Sequence, residues 1–330
     1  MTQPQPNQAV GKYEFLGVVD KPKAGVTYKV RNLATGEFEA LRALPGGSYG
    51  DPEMRERFLR EIRIHTRLSH PNIVAFHDAL ELDGQLVMTA EFVEGTTLAE
   101  FCRRGPLSQV QAIRAICVVL SGLEEGHALG IVHRGITAEH VMVTPDGKVK
   151  LGGFGLAKPA SDVNLTQAGA TLGDAAYMAP EQVLGVGPLD GRADLYSAGV
   201  LLFQALTGRV PFDGKTDFDI MVAQVSAQPP RPSVLNPGIG PELERIVLTA
   251  LAKKPEDRFA SAREFRQALS ALNGPIGVLP LPAARVKAPL EAVPPQFPIE
   301  AQHARRPWLL LAIGFACVAI ALIVLFVKMH

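Results

Sequence analysis

The order of the local sequence patterns constrains the fold of this chain most, because strand-like segments come first and helix-like segments follow. The strand-like segments are short and rich in β-branched and aromatic residues. They lie at residues 13–19, 26–32, 37–44, 73–80 and 85–93. After Gly95, apolar residues recur mainly at helical spacing. The helices predicted there are at residues 110–129, 195–206, 243–252 and 262–272.

One helix is also predicted inside the strand-rich part, over residues 51–68. Asp51 suits the N-cap position and Pro52 the first helical position, while Phe58 and Ile62 share one apolar face. Strands followed by helices favour an α+β fold with two lobes. We therefore predict a bilobal domain at residues 13–272. A small β-rich N-lobe with one main helix occupies about 13–93, and a larger helical C-lobe about 94–272.

The composition is that of a globular protein with a sizeable core. Of its 330 residues, 47% are hydrophobic and 20% are charged, and the formal net charge is zero. A basic surface is the usual sign of nucleic-acid binding, so we expect no nucleic-acid partner. The three cysteines show no metal-ligand spacing. Residues 1–12 are rich in Gln, Pro and Asn and predict a disordered tail without a secretory signal.

The C-terminal part changes character after the domain. Residues 273–307 are rich in proline and predict an extended juxtamembrane linker. Residues 308–327 predict one transmembrane helix, because residues 309–327 carry no charge over a length that spans a bilayer. Arg305 and Arg306 precede this run, so the positive-inside rule predicts a domain that faces the cytoplasm. Residues 328–330 would form a short outer tail of a single-pass protein of the cytoplasmic membrane, with the lipid bilayer as a partner.

Residues 131–155 contain the sequence motifs that say most about function. Two short apolar runs, at residues 141–143 and 149–151, flank Pro145-Asp146-Gly147, and Asp-Gly between such runs predicts a hairpin. His133 and Arg134 precede the hairpin, and Gly152-Gly153-Phe154-Gly155 follows it. This pattern resembles the catalytic loop and metal-binding loop of eukaryotic-type Ser/Thr protein kinases, most of all the bacterial membrane-anchored branch. The resemblance extends over residues 13–272.

The residues that perform catalysis in this family are replaced at the matching positions. Gly135 stands where the family has its catalytic Asp, and Thr137 where it has a Lys. His140 stands where it has an Asn, and Gly153 replaces the metal-binding Asp. The resemblance thus implies a kinase fold with no intact catalytic residue and no metal site.

Residues with architectural roles in the family are retained. Glu181 in the A-P-E element matches the Glu that pairs with Arg258, and Asp194 matches the buried Asp that braces the catalytic loop. His133 and Phe154 match two members of a hydrophobic column through both lobes, with Phe76 and His65 above them. Arg134 would receive a phosphate if Thr166 or Thr171 in the activation segment were phosphorylated.

The positions that surround the nucleotide in this family are only partly retained in this sequence. The glycine-rich loop keeps only its last glycine, Gly25, and Arg42 replaces the phosphate-binding Lys. Glu61 matches the helix Glu that pairs with that Lys, so an Arg42–Glu61 ion pair is expected. Other positions match the residues that surround the adenine ring or form the hinge. They are Ala40, Ala90, Glu91, Val93 and Met142. We expect ATP to bind weakly if at all, and Mg²⁺ not to be required.

Three functions follow from these substitutions. The first is a membrane-anchored pseudokinase that binds cytoplasmic signalling proteins, among them an active Ser/Thr kinase, as a scaffold or allosteric regulator. The second is an atypical kinase with residual phosphotransfer, in which Asp174 or Glu139 takes over the metal. The third is a nucleotide sensor that works without Mg²⁺.

Overall fold

The structure is a computed structural model, and it describes residues 9–20, 26–44, 52–82, 84–156, 158–159 and 174–273. The chain divides into two compact units, Met1–Pro295 and Gln296–His330, and every described residue belongs to the first. The predicted linker at 273–307 and the predicted membrane helix at 308–327 lie almost entirely outside the described residues. Within the described ranges, no helix is both long and apolar enough to cross a membrane.

A six-stranded antiparallel sheet forms the N-lobe, with the strand order β1-β2-β3-β4-β6-β5. The strands are β1 (Ala9–Val10), β2 (Tyr13–Asp20), β3 (Val26–Asn32), β4 (Phe38–Ala43), β5 (Phe76–Leu82) and β6 (Gln85–Glu91). All five predicted strands are confirmed, although β5 starts three residues later than predicted. Ala9 and Val10 lie inside the predicted disordered tail, yet they pair with Glu14 and Tyr13.

The one helix of the described N-lobe is α1 (Pro52–His65), which is shorter than the predicted 51–68. Its C-terminal end tightens, since the amides of Arg67 and Leu68 donate to carbonyls three residues back. Phe58 on its apolar face is buried and packs with Leu44 and Met88 of the sheet region. Helix α1 therefore covers one face of the N-lobe sheet, as its amphipathic pattern predicts.

The C-lobe is built from helices around α5. Its helices are α2 (Leu98–Arg104), α3 (Gln109–Ala128), α4 (Pro180–Leu184), α5 (Gly191–Thr207), α6 (Asp217–Ser226), α7 (Pro232–Leu235), α8 (Pro241–Ala250) and α9 (Ala262–Asn273). Most residues of α5 are buried, which makes α5 the centre of this lobe. Its start was predicted one turn too late, because the Asp190 side chain caps the helix by accepting from the Arg192 amide.

Five short strands lie among the described helices of the C-lobe. They are β7 (Thr96–Thr97), β8 (Ile131–Val132), β9 (Val141–Val143), β10 (Val149–Leu151) and β11 (Lys158–Pro159). The loops of the candidate site follow two of them, β8 and β10. Strands β9 and β10 form the predicted hairpin, in which Val143 pairs with Val149 and Val141 pairs with Leu151. The loop from β8 to β9 and the loop after β10 therefore lie side by side.

Hydrogen bonds join the N-lobe to this hairpin. The Leu151 amide donates to the Asn72 carbonyl at 2.8 Å, and the Val74 amide donates to the Leu151 carbonyl at 2.9 Å. Lys150 Nζ donates to Glu91 Oε2 at 2.6 Å, which links β10 to the end of β6. These bonds position the loops of the C-lobe against the N-lobe, as the predicted two-lobed fold requires.

Candidate functional site

The loop that follows β8 is held in place by the carboxylate of Asp194 in α5. Asp194 is only 1% exposed, and it accepts hydrogen bonds from the amides of His133 and Arg134, each at 2.8 Å. His127 Nε2 donates to the same carboxylate at 2.8 Å. Burial would raise the pKa of Asp194, but these bonds and the nearby His127 lower it below its ordinary value. The carboxylate therefore satisfies two amides of an otherwise irregular loop.

Arg134 shows how strongly this loop is constrained. It is the only non-glycine with positive φ among the described residues, at 64°. A left-handed conformation is unfavourable for a residue with a Cβ, so the bond from its amide to Asp194 must offset that cost. Its carbonyl accepts from Gln182 Nε2 at 3.0 Å, which ties the loop to α4. The Arg134 side chain itself is buried.

His133 joins this loop to the segment after β10. Its Nε2 donates to the Gly152 carbonyl at 2.9 Å, and its Nδ1 accepts from the Gly135 amide at 3.3 Å. Both ring nitrogens thus have roles that suit a neutral imidazole. Burial lowers the pKa of His133 to about 4, and the opposing attraction of Asp194 is smaller.

Four rings form a column that runs between the lobes. His133 lies 4.3 Å from Phe154 between ring centroids, and Phe154 lies 5.8 Å from His65. His65 continues the column to Phe76 at 6.3 Å. Burial lowers the pKa of His65, which keeps this polar member neutral among aromatic rings. The four residues that the sequence suggested for the column are therefore in contact.

His140 occupies the centre of the degenerate site. Its Nδ1 lies 2.6 Å from the Gly135 carbonyl and must donate the hydrogen, because a carbonyl can only accept. Thr137 Oγ1 lies 3.3 Å from the same nitrogen. His140 is itself one of the four positions that the sequence matched to the catalytic residues of the family, and its imidazole contacts two of the others, Gly135 and Thr137.

The fourth of these positions, Gly153, lies directly under the His140 ring. Gly153 has a φ of 82°, and a Cβ added there would be 2.4 Å from Cγ and 2.6 Å from Cδ2 of His140. Real Cβ atoms essentially never approach other atoms so closely. The imidazole thus fills the volume into which a side chain at position 153 would project.

This set of groups does not suit a Mg²⁺ ion. Mg²⁺ prefers carboxylate and phosphate oxygens, whereas the site offers a carbonyl already bonded to His140, a hydroxyl and an imidazole. Glu139, one of the two carboxylates considered as substitutes, bonds instead to Thr97 Oγ1 at 2.9 Å and lies 3.5 Å from Arg103. The side chain of Asp174, the other substitute, lies outside the described residues.

Arg42 and Glu61 form the ion pair that the sequence suggested, with 2.6 Å between Nη1 and Oε1. The pair connects β4 to α1 and is largely buried. Gly155 lies against it, since an added Cβ there would be 3.2 Å from Glu61 Oε1. Helix α1 is therefore held towards the cleft between the lobes.

The residues matched to the adenine pocket are arranged on both sides of this cleft. Ala40 and Ala90 face each other across β4 and β6, while Met142 lies in β9 of the other lobe. These three and Val93 are half-buried. The Glu91 side chain also accepts from the Ala75 amide at 3.2 Å, in addition to its ion pair with Lys150. Gly25, Thr166 and Thr171 lie outside the described residues.

Glu181 and Arg258 form a bidentate ion pair, with N–O distances of 2.7 and 2.8 Å. The Arg258 side chain is 0% exposed. It also donates to three backbone carbonyls at 2.8 to 2.9 Å, those of Ala252, Arg192 and Lys253. This arginine therefore joins α4, the start of α5 and the turn after α8.

Comparison with known proteins identifies the family of this chain. The family model of the protein kinase domain matches residues 13–270. This chain belongs to the protein kinase family. A probable serine/threonine-protein kinase of Streptomyces coelicolor is 36% identical over 282 residues, which make up 83% of this chain and 42% of that protein. The serine/threonine-protein kinase PknL of Mycobacterium tuberculosis is 36% identical over 251 residues, which make up 76% of this chain and 62% of PknL.

A solved kinase structure also resembles this chain. The crystal structure of the Mycobacterium tuberculosis PknI kinase domain aligns with a TM-score of 0.63 and 28% identity, covering 80% of this chain and 98% of that one. The bilobal protein kinase fold predicted from the sequence is thereby confirmed. This kinase-family chain spans about half the length of the curated relatives that it matches.

Lys253 also holds this kinase fold together, although no sequence motif predicts such a role for it. Its Nζ donates to the Gln224 carbonyl at 2.7 Å and lies 4.1 Å above the centre of the Phe212 ring. Burial first, and then the charge of Arg258, lower the pKa of Lys253 to about 8. Its only sequence signal was its position five residues before Arg258. It anchors the end of α6 to the turn after α8.

Replacing Arg258 should destabilise the kinase fold strongly. The change Arg258→Ala leaves the Glu181 carboxylate without its partner and frees three carbonyls, which together cost roughly 3–5 kcal/mol. Thermal unfolding should show a melting temperature lower by several degrees. The matched control is Arg245→Ala, which breaks the exposed Arg245–Glu242 pair and should leave the melting temperature close to that of the wild type. Equal shifts for the two variants would contradict the structural role of Arg258.

The neutral His133 should make stability depend on pH. Its folded pKa of about 4 lies below the ordinary value of 6.5, so the unfolded chain binds one more proton between these values. Stability should therefore fall as the pH falls from 6.5 towards 4, by up to about 1.4 kcal/mol per pH unit. In urea unfolding, His133→Phe should be less stable at neutral pH and depend less on pH in this window. An unchanged pH dependence would argue against a buried neutral His133.

Proposed function

We propose that this chain is a catalytically inactive member of the protein kinase family that acts by binding other proteins. Its partners would be cytoplasmic signalling proteins, among them an active Ser/Thr kinase whose conformation it holds. The observation that carries the proposal is the His140 ring, which lies where a side chain at Gly153 would project. In this arrangement a metal-binding carboxylate is missing, and its space is filled as well.

Phosphoryl transfer by this site would lack several contributions to its rate at once. A missing general base at Gly135 costs on the order of 10²–10⁴ in rate. Phosphoryl transfer relies mainly on positioning and on neutralising the phosphate charges, so the absence of metal-binding carboxylates weighs more. The carbonyl of Gly135 and the ring of His140 are also bonded to each other and cannot serve a substrate without rearrangement.

A role in protein binding needs a stable folded surface, and several contacts within the domain stabilise one. Asp194 braces the loop after β8, Arg258 joins three segments of the C-lobe, and the ring column spans the lobes. None of these interactions requires a nucleotide. A rigid kinase-shaped surface can therefore persist without catalysis, and such a surface is sufficient for a scaffold or an allosteric regulator.

A second candidate is an atypical kinase with residual phosphotransfer. The Arg42–Glu61 pair favours it, because the corresponding ion pair must form in active kinases. The relatives named above are also described as serine/threonine-protein kinases. A third candidate, nucleotide sensing without Mg²⁺, would use the half-buried residues Ala40, Ala90 and Met142 around the cleft.

We further propose that the chain is anchored in the cytoplasmic membrane by a single helix at residues 308–327. Support comes from the uncharged run at 309–327 and from Arg305 and Arg306 before it. The kinase-like domain would then face the cytoplasm, where its protein partners are.

Nucleotide binding and phosphotransfer measured together test this proposal. Titrating ATP with and without Mg²⁺ in a thermal-shift assay should show no increase in ATP affinity when Mg²⁺ is added. Phosphotransfer by the full chain should equal that of Arg42→Ala, which removes the remaining cation at the phosphate position. Phosphotransfer above the Arg42→Ala control would support the atypical kinase instead. Tight ATP binding that is independent of Mg²⁺ and without transfer would support the sensor.

A further inference from the structure

A polar cavity of about 230 Å³ opens at the edge of the N-lobe sheet, away from the degenerate catalytic positions. Tyr13, Asn32 and Glu39 lie on one face of β2, β3 and β4, because Tyr13 pairs with Asn32 and Val30 pairs with Glu39. His77 and Asp78 of β5 also line the cavity. The cavity thus collects side chains from four strands at one end of the sheet.

Glu39 is the unusual group in this cavity. It is only 4% exposed, and its Oε1 accepts from Asn32 Nδ2 at 2.8 Å. Its Oε2 is buried and has no hydrogen-bond partner among the described residues. The nearest basic atom is His77 Nδ1 at 3.6 Å, beyond ordinary hydrogen-bond length. Burying a carboxylate costs free energy unless the carboxylate is paired, so a cationic donor bound to Oε2 would reduce this cost.

The charges around the cavity also favour a cation. Three carboxylates line it, those of Glu37, Glu39 and Asp78, against the single ammonium group of Lys12. Lys12 is already paired, since its Nζ lies 2.8 Å from Asp78 Oδ2. This bond, and to a smaller extent the neighbouring Tyr13, raise the pKa of Lys12. Among Lys12, Glu37, Glu39 and Asp78, three negative charges and one positive charge leave a balance of minus two.

The geometry of the acidic groups points to an organic cation rather than a metal ion. Within the described part of the chain, no three His, Cys, Asp or Glu side chains are placed to coordinate a metal. A guanidinium group suits the cavity better than an ammonium group, because it is planar, weakly hydrated and donates several hydrogen bonds in fixed directions. Glu39 Oε2 and the buried hydroxyl of Tyr13 provide two separate acceptors for such a fork.

We propose that this cavity binds the guanidinium group of an arginine presented by a partner protein. The guanidinium donates to Glu39 Oε2 and the Tyr13 hydroxyl, while Glu37 at the rim attracts it. This inference goes beyond the proposed function and does not depend on the loss of catalysis, because no residue of the cavity belongs to the catalytic loop. It assigns a specific contact point to the N-lobe of the chain.

Calorimetric titration of the full chain, solubilised in detergent, tests the site with blocked arginine, N-acetyl-arginine methylamide. The wild type should bind this probe, and the neutral isostere N-acetyl-citrulline methylamide should not bind. Glu39→Gln keeps the shape and the bond from Asn32 but removes the charge, so affinity should fall roughly tenfold or more. Tyr13→Phe should weaken binding by a smaller factor.

Glu14→Gln is the matched control, since Glu14 lies on β2 next to the site but is paired with Arg31 and does not line the cavity. This variant should bind the arginine probe as the wild type does. The proposal is overturned if the wild type does not bind the probe, or if citrulline binds equally well. It is also overturned if Glu39→Gln and Tyr13→Phe, with melting curves close to the wild type, both retain full affinity.

Discussion

The carboxylate of Asp194 is the interaction on which the functional region depends. It lies in the most buried helix of the C-lobe and satisfies two consecutive amides of the loop after β8. That loop contains Arg134 in a left-handed conformation, which would be unfavourable without such a partner. His133 extends the same support to the Gly152 carbonyl. These bonds join backbone groups to the side chains of Asp194 and His133, so none of them involves the four positions matched to catalytic residues.

The replacements form one packed unit. The His140 ring donates to the Gly135 carbonyl, lies beside Thr137 and covers Gly153. Gly153 leaves room for the imidazole, Thr137 lies within hydrogen-bond distance of it, and the backbone carbonyl of Gly135 accepts from it, so this site is packed around the His140 ring. Restoring a single catalytic residue would therefore disturb its neighbours as well as add a functional group. This packing supports the proposal that the chain does not act by phosphotransfer.

Much of the fold follows from local patterns, because alternating apolar residues and helical spacing report directly on burial. The hairpin at Asp146-Gly147 and the helices α3, α8 and α9 were predictable on that basis. The motif positions also located the ring column and the Glu181–Arg258 pair. The packing of His140 on Gly153 was not predictable from the sequence. It depends on the distance in space between two loops, and these two residues are thirteen positions apart in the chain. The burial of Glu39 was not predictable either, because it arises from the pairing of strands and not from a local pattern.

A double-mutant cycle between positions 140 and 153 measures directly whether the His140 ring occupies the space of a side chain at position 153. Unfolding free energies would be measured for Gly153→Asp, His140→Asn and the double variant. Our account predicts that Gly153→Asp is strongly destabilising and that His140→Asn relieves much of this loss, with a coupling energy above about 1 kcal/mol. Gly130→Asp is the control, because Gly130 has a similar φ of 71° and no atom near an added Cβ. Effects at 140 and 153 that add within about 0.5 kcal/mol would contradict the account.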